Sequence, residues 1–168
     1  VKTLTFLKFN VIKPLSRKPI TYFHCFANQE TLMMETILEN FLKETQPNGY
    51  IAINAYLPRN KEMIDALQEL RVAIRAKTGN AVTAGFGPRF QHSTGQFHKG
   101  GPNNALFMQI TADHDRDMEI PTEGLTFGTL IHAQALGDYE ALIEAGRKVL
   151  RVHLPGPKDI VRIKNALE

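Results

Sequence analysis

The sequence predicts an α/β protein built as a doubly wound, mostly parallel sheet flanked by helices. Three observations point there. Short apolar runs alternate with amphipathic stripes along most of the chain, glycine, proline and asparagine punctuate the junctions, and no internal repeat or low-complexity tract interrupts the alternation. In such sheets ligands sit at loops beyond the carboxyl ends of the strands.

Each element has its own signal. Residues 1–19 carry Pro14 and Pro19, which interrupt any regular element, and read as a solvated connector; one α/β domain follows over 20–168. Ile20–Phe26 is an apolar, aromatic run expected to be a buried strand. From Gln29 to Lys43, Met33, Met34, Ile37, Leu38, Phe41 and Leu42 form a paired stripe of helical period, stopped by Pro47-Asn48-Gly49, with Met33 and Met34 expected as core filler. Tyr50–Leu57 is a strand closed by Pro58. Asn60 can cap a second helix whose Met63, Leu67, Leu70 and Ile74 share a face and which stops at Gly79-Asn80. Ala81–Phe86 and Ala105–Thr111 are strands on either side of a glycine-rich loop. Thr126 caps a helix to about Leu136, where Gly137-Asp138 should break it before it resumes to Gly146. Val149–Leu154 is the last strand, Pro157 suits a first helical position, and Ile160, Ile163 and Leu167 line a final helix.

Composition narrows the class of protein. The chain has 168 residues, 43% hydrophobic and 22% charged, enough to bury roughly 70% of the surface exposed when unfolded. Collagenous, disordered and disulfide-framework classes are excluded, since Cys25 is the single cysteine; a reducing compartment, the cytoplasm by default, is expected. No apolar run approaches the ~20 residues of a membrane span. Val at position 1 and the terminal Leu167-Glu168 suggest a domain cut from a longer protein.

The net charge of +3 matters less than its distribution. From Leu70 to Ala112 there is no Asp or Glu over 43 residues, while Arg71, Arg75, Lys77, Arg89 and Lys99 fall inside. Such a segment suits an anion; buried strands with few charges are the plainer alternative. A nucleic-acid module would need an aromatic-interleaved basic face, which is missing.

Common motifs fail on inspection. Gly85-Phe86-Gly87-Pro88-Arg89-Phe90 begins like a dinucleotide fingerprint but places Phe90 at the third glycine. Asp113, Asp115, Asp117 and Glu119 alternate as in a calcium loop, yet Met118 replaces the turn glycine and Gly124 the final Glu, leaving a solvated acidic turn. The six histidines show no HExxH spacing and there is one cysteine, so a structural zinc site is not expected; His24, His132 and His153 read as hydrogen-bonded core residues.

The loop from Gln91 to Asn104 is different. It gathers His92, Ser93, Thr94, Gln96, His98 and Lys99 with no carboxylate in the same stretch. Imidazole moves protons near neutral pH, and hydroxyls, amides and cations can hold a polyhydroxylated anion, so proton transfer on a sugar phosphate fits this inventory. Arg89, Ser93, Thr94, Gln96 and Lys99 are the candidate substrate-binding residues.

Gly87-Pro88-Arg89-Phe90-Gln91-His92-Ser93-Thr94-Gly95-Gln96-Phe97-His98-Lys99-Gly100-Gly101-Pro102-Asn103, with Thr126-Phe127-Gly128, Gln134–Asp138, Val149–Leu154 and Ile53–Pro58, resembles the C-terminal sugar-isomerase (SIS) domain of the glucose-6-phosphate isomerase part of bifunctional transaldolase/glucose-6-phosphate isomerases. The resemblance runs from about Tyr50 to Leu154. It implies an SIS-like doubly wound sheet, cofactor-free interconversion of glucose 6-phosphate and fructose 6-phosphate through an enediol, and His92 as the acid/base group of ring opening. It also implies a homodimer, because that histidine reaches a neighbouring subunit's site, an upstream SIS domain that supplies most phosphate contacts and without which the isolated chain should be inactive, and, in the bifunctional enzymes, a fused transaldolase. The family's base is a glutamate. Here Glu69 is the only acid between Asp65 and Asp113; it does not fall on the matching position, and helix surface is its other reading. The family's C-terminal lysine corresponds to Lys164 in an ungapped match. A non-catalytic, sugar-phosphate-sensing domain is the competing expectation.

Overall fold

A computed structural model describes residues 22–24, 31–114, 116–121 and 123–168. The expected connector at 1–19 and Cys25 lie outside the described residues. Five parallel strands form one sheet in the order β1-β7-β4-β2-β3: β1 Tyr22–His24, β2 Tyr50–Tyr56, β3 Ala81–Phe86, β4 Ala105–Ala112 and β7 Lys148–Leu154. The helices are α1 Thr31–Lys43, α2 Lys61–Thr78, α3 Thr94–Gly100, α4 Phe127–Glu144 and α5 Ile160–Asn165.

Alternation along the strands decides which helix lies on which face. Ile51, Ile53 and Ala55 of β2, Leu106, Met108 and Ile110 of β4, and Leu150 and Val152 of β7 join the main core with Leu38 of α1, Leu70 of α2 and Ile163 of α5. Their neighbours in sequence, Ala52, Phe107 and Val149, point the other way and meet Tyr139 and Leu142 of α4. The sheet is therefore covered on both faces, as the alternation of elements predicts.

The order of strands locates a topological switch. The chain leaves β2 for β3 through α2 on one face, and leaves β4 for β7 through α4 on the other, moving in the opposite direction along the sheet. Since β2 and β4 are neighbours, their connections part at this point and open a crevice at the carboxyl ends.

Local signals act as their chemistry requires. The Asn60 side chain accepts the Met63 N–H at 2.9 Å, Thr126 Oγ1 accepts the Thr129 N–H at 3.1 Å, and Gly79 ends α2 in the left-handed region at φ 72°. Four expectations need correction. The segment after β3 is not all loop, because Arg89–His92 forms a 3-10 turn and α3 follows. Gly137-Asp138 does not break α4: the Asp138 side chain is held inside by a partner described below, and Gly137 simply faces open space. Met33 is exposed, so Met34 alone fills the core. The acidic stretch is also more than a solvated turn. Asp117 Oδ1 accepts N–H groups from Met118 and Gly128, both at 2.8 Å, and fixes the start of α4; Glu119 enters a two-residue hairpin, β5 Glu119–Ile120 with β6 Leu125–Thr126. Strands this short leave no periodicity to read.

Candidate functional site

The site is assembled at the carboxyl end of the sheet, around the turn that follows β3. The Gly87 N–H donates to Ala55 O at 2.8 Å, which ties the turn to the end of β2. A side chain at Gly87 would come within 2.5 to 2.7 Å of the Tyr56 ring, so only glycine permits this approach. Phe90 is buried edge-on against Tyr56, with ring centroids 5.7 Å apart. Gln91 Nε2 donates to the Tyr56 hydroxyl at 2.6 Å and to Gln134 O at 3.2 Å, joining the turn to α4. These contacts leave Arg89 and His92 pointing outward: both are exposed, and neither makes a side-chain hydrogen bond among the described residues.

The next residues divide between solvent and scaffold. Thr94 and Gln96 are exposed, while the Ser93 hydroxyl donates to Phe90 O at 3.2 Å. Lys99 is engaged. Its Nζ lies 2.6 Å from Oδ1 of Asp138, whose side chain is 1% exposed. Asp138 comes from α4, so the fold inserts a carboxylate into a stretch that has none in sequence. Only the pairing of a lone acid inside an apolar helix stripe could have hinted at it. The buried Arg147 guanidinium donates at 2.6 Å to the carbonyls of Lys99 and Gly101 and satisfies the end of α3. Burial, reinforced by Asp138, pushes the Tyr56 phenol well above the usual tyrosine range, so it stays a neutral hydrogen-bonding anchor.

Beside this turn, at the ends of β4 and β7, three imidazoles lie together. His153 Nδ1 is 2.9 Å from Thr111 Oγ1 and its Nε2 is 3.2 Å from Asp113, in keeping with the hydrogen-bonded role expected from its sequence. The His132 ring lies 5.9 Å from His153 and 5.1 Å from His114. Among the described residues no group of three or more His, Cys, Asp or Glu side chains could hold a metal ion.

Glu69 and Lys164 do meet, but each with the other. Lys164 Nζ is 3.1 Å from Glu69 Oε2, on the exposed junction of α2 and α5. Those helices pack on one face of the sheet, whereas Phe90 and the His92 turn pack with Tyr56 and Ala135 on the other. The fold thus separates these two residues from His92 within one chain.

No family model matches the chain. A curated glucose-6-phosphate isomerase from Thermus thermophilus is 33% identical over 90 residues, covering 47% of this chain and 22% of that protein. The sequence similarity is to glucose-6-phosphate isomerase. It is partial, since the chain spans about a fifth of that relative's length. A solved structure of a hypothetical protein, also from Thermus thermophilus, matches with a TM-score of 0.62 at 20% identity, covering 84% of this chain and 43% of that one. That likeness concerns the fold alone, and it agrees with an SIS-like doubly wound sheet. Among the described residues no helix is long and apolar enough to cross a membrane.

Two histidines give the fold an acid-sensitive edge. Burial lowers the pKa of His98, against a smaller upward pull from Asp138; burial also lowers that of His132, with His114 and Arg151 pushing the same way. Both therefore bind protons more weakly when folded. Their stabilising contribution is complete above the unfolded value of about 6.5, declines as pH falls below it, and levels off once pH passes the folded values. Urea unfolding is expected to show stability dropping between about pH 7 and pH 5, and less steeply in His132→Gln. A flat profile over that range overturns the expectation.

Proposed function

We propose that this chain contributes the ring-opening histidine to a sugar-phosphate isomerase acting on glucose 6-phosphate and fructose 6-phosphate. One observation carries the reading: His92 is presented outward on a rigidly anchored turn at the carboxyl end of a doubly wound sheet, in a chain whose sequence similarity is to glucose-6-phosphate isomerase. In ring opening, His92 as acid donates a proton to the ring oxygen while the anomeric hydroxyl loses one, cleaving the ring C–O bond and leaving the open aldose. A base then takes the C2 proton while the C1 oxygen gains one, giving an enediol; as the C2 hydroxyl loses its proton the base returns one to C1, so that C1 is reduced and C2 oxidised with no external redox partner. Arg89, Thr94 and Gln96 are exposed around the same turn and suit the hydroxyls and phosphate; Ser93 and Lys99 support the turn from within.

The base and most phosphate contacts are assigned to other parts of the assembly. An upstream SIS segment and a second copy, whose site His92 reaches, are the sources we propose. The exposure of His92 favours this arrangement, and so does the placement of Glu69 with Lys164 on the opposite face. The test is a coupled assay of the 168-residue chain beside the whole protein, with negligible turnover expected of the chain alone and sustained conversion by the whole protein. Sustained conversion by the chain alone removes the need for outside groups. The same placement of Glu69 favours a second reading, a sugar-phosphate sensor. Saturable binding by the whole protein without turnover would select it.

A further inference from the structure

Along the β3 edge, from Tyr50 and Ala81 at one end to the base of the His92 turn at Phe90 and Thr94 at the other, α3 and the strand enclose a groove of about 310 Å3. That volume is at the lower end of the ~300–1,000 Å3 typical of small-molecule sites. Phe90, Phe97 and Tyr50 supply aromatic walls, and β3 contributes Thr83 and Gly85 to the floor. Two further lining residues are almost wholly buried and lack partners. Asn54 is 1% exposed and its Nδ2 makes no hydrogen bond; His98 is 6% exposed and its Nδ1 makes none. Leaving a buried donor or acceptor unpaired is costly, so two in one groove indicate a site completed by a ligand. No carboxylate, lysine or arginine lines the groove. Burial disfavours a charged His98, so the walls are neutral near neutral pH.

The occupant must then be uncharged, flat enough to lie against aromatic rings, and polar at one edge. A carboxamide presents a donor beside an acceptor, which matches the amide-like edge of a heteroaromatic ring. We propose that this groove binds an uncharged nucleobase, as the ring of a nucleoside, with Asn54 pairing to its donor–acceptor edge and His98 Nδ1 to a further ring or exocyclic group. The groove borders the His92 turn at Phe90 and Thr94, but its unpartnered polar groups, Asn54 and His98, are none of those the isomerase reading uses, so the proposal does not depend on that reading.

The test is calorimetric titration of the 168-residue chain with adenosine, guanosine, cytidine and uridine, repeated in the presence of glucose 6-phosphate. Binding of at least one nucleoside is expected, without competition from the sugar phosphate. Asn54→Ala should weaken it about tenfold. Thr83→Phe, at an exposed position, should abolish it without altering thermal stability. If Asn54→Ala fails to fold, Thr83→Phe still decides. The proposal is overturned if no nucleoside binds, if Thr83→Phe leaves binding intact, if glucose 6-phosphate competes, or if the groove serves instead in a self-association that Thr83→Phe disrupts.

Discussion

Replacing His92 with alanine in the whole protein is expected to slow isomerisation of cyclic glucose 6-phosphate by roughly 100- to 10,000-fold, the range general acid/base groups supply. The effect should fall on kcat more than on KM, because an outward imidazole on an otherwise intact turn adds little to ground-state binding. The turn itself should survive the change, since Gly87, Phe90 and Gln91 hold it and His92 makes no side-chain hydrogen bond among the described residues. Open-chain substrate provides the internal control: it bypasses ring opening, so its turnover should drop much less. Equal losses on both forms would move His92 out of ring opening, and an unchanged rate on the cyclic form would remove it from the mechanism.

Phe107→Ala is expected to destabilise the chain by about 3–5 kcal/mol, the usual cost of deleting a buried aromatic side chain. Phe107 is 1% exposed in the middle of β4 and packs with Tyr139 and Leu142 of α4. Its ring also lies 5.1 Å from His98 and 6.3 Å from Tyr50, so it packs between α4 and α3 on one face of the sheet. A typical domain has only about 5–15 kcal/mol in total, and such a loss should be plain in urea unfolding. Hydrogen exchange should rise first in α3, a seven-residue helix that makes few hydrogen bonds of its own. A loss under about 1 kcal/mol would mean that the neighbouring side chains collapse into the space.

Where a residue's neighbours in the chain are also its neighbours in space, its role was readable in advance. Asn60 and Thr126 cap helices, Gly79 closes one, and the stripe Met63, Leu67, Leu70 and Ile74 is buried as its period requires. The strands β2, β3, β4 and β7 fall where the apolar runs place them. Elements too short or too polar for a period, such as α3 and the β5–β6 hairpin, gave no such signal, and the glycines of residues 85–101 masked the turn and helix between them.

By itself, then, the sequence determined the α/β class and most element boundaries, because period and capping act over a few residues, and its local composition marked the His92 segment as the candidate site. Tertiary structure decided the charge and geometry of that segment. A stretch that is carboxylate-free over 43 residues receives Asp138 from α4 and ties up Lys99. Glu69 and Lys164, 95 residues apart, pair on the face opposite His92. The reason is physical: ion pairs and buried polar contacts act between groups that folding brings within a few ångströms, and their separation along the chain carries no record of that distance.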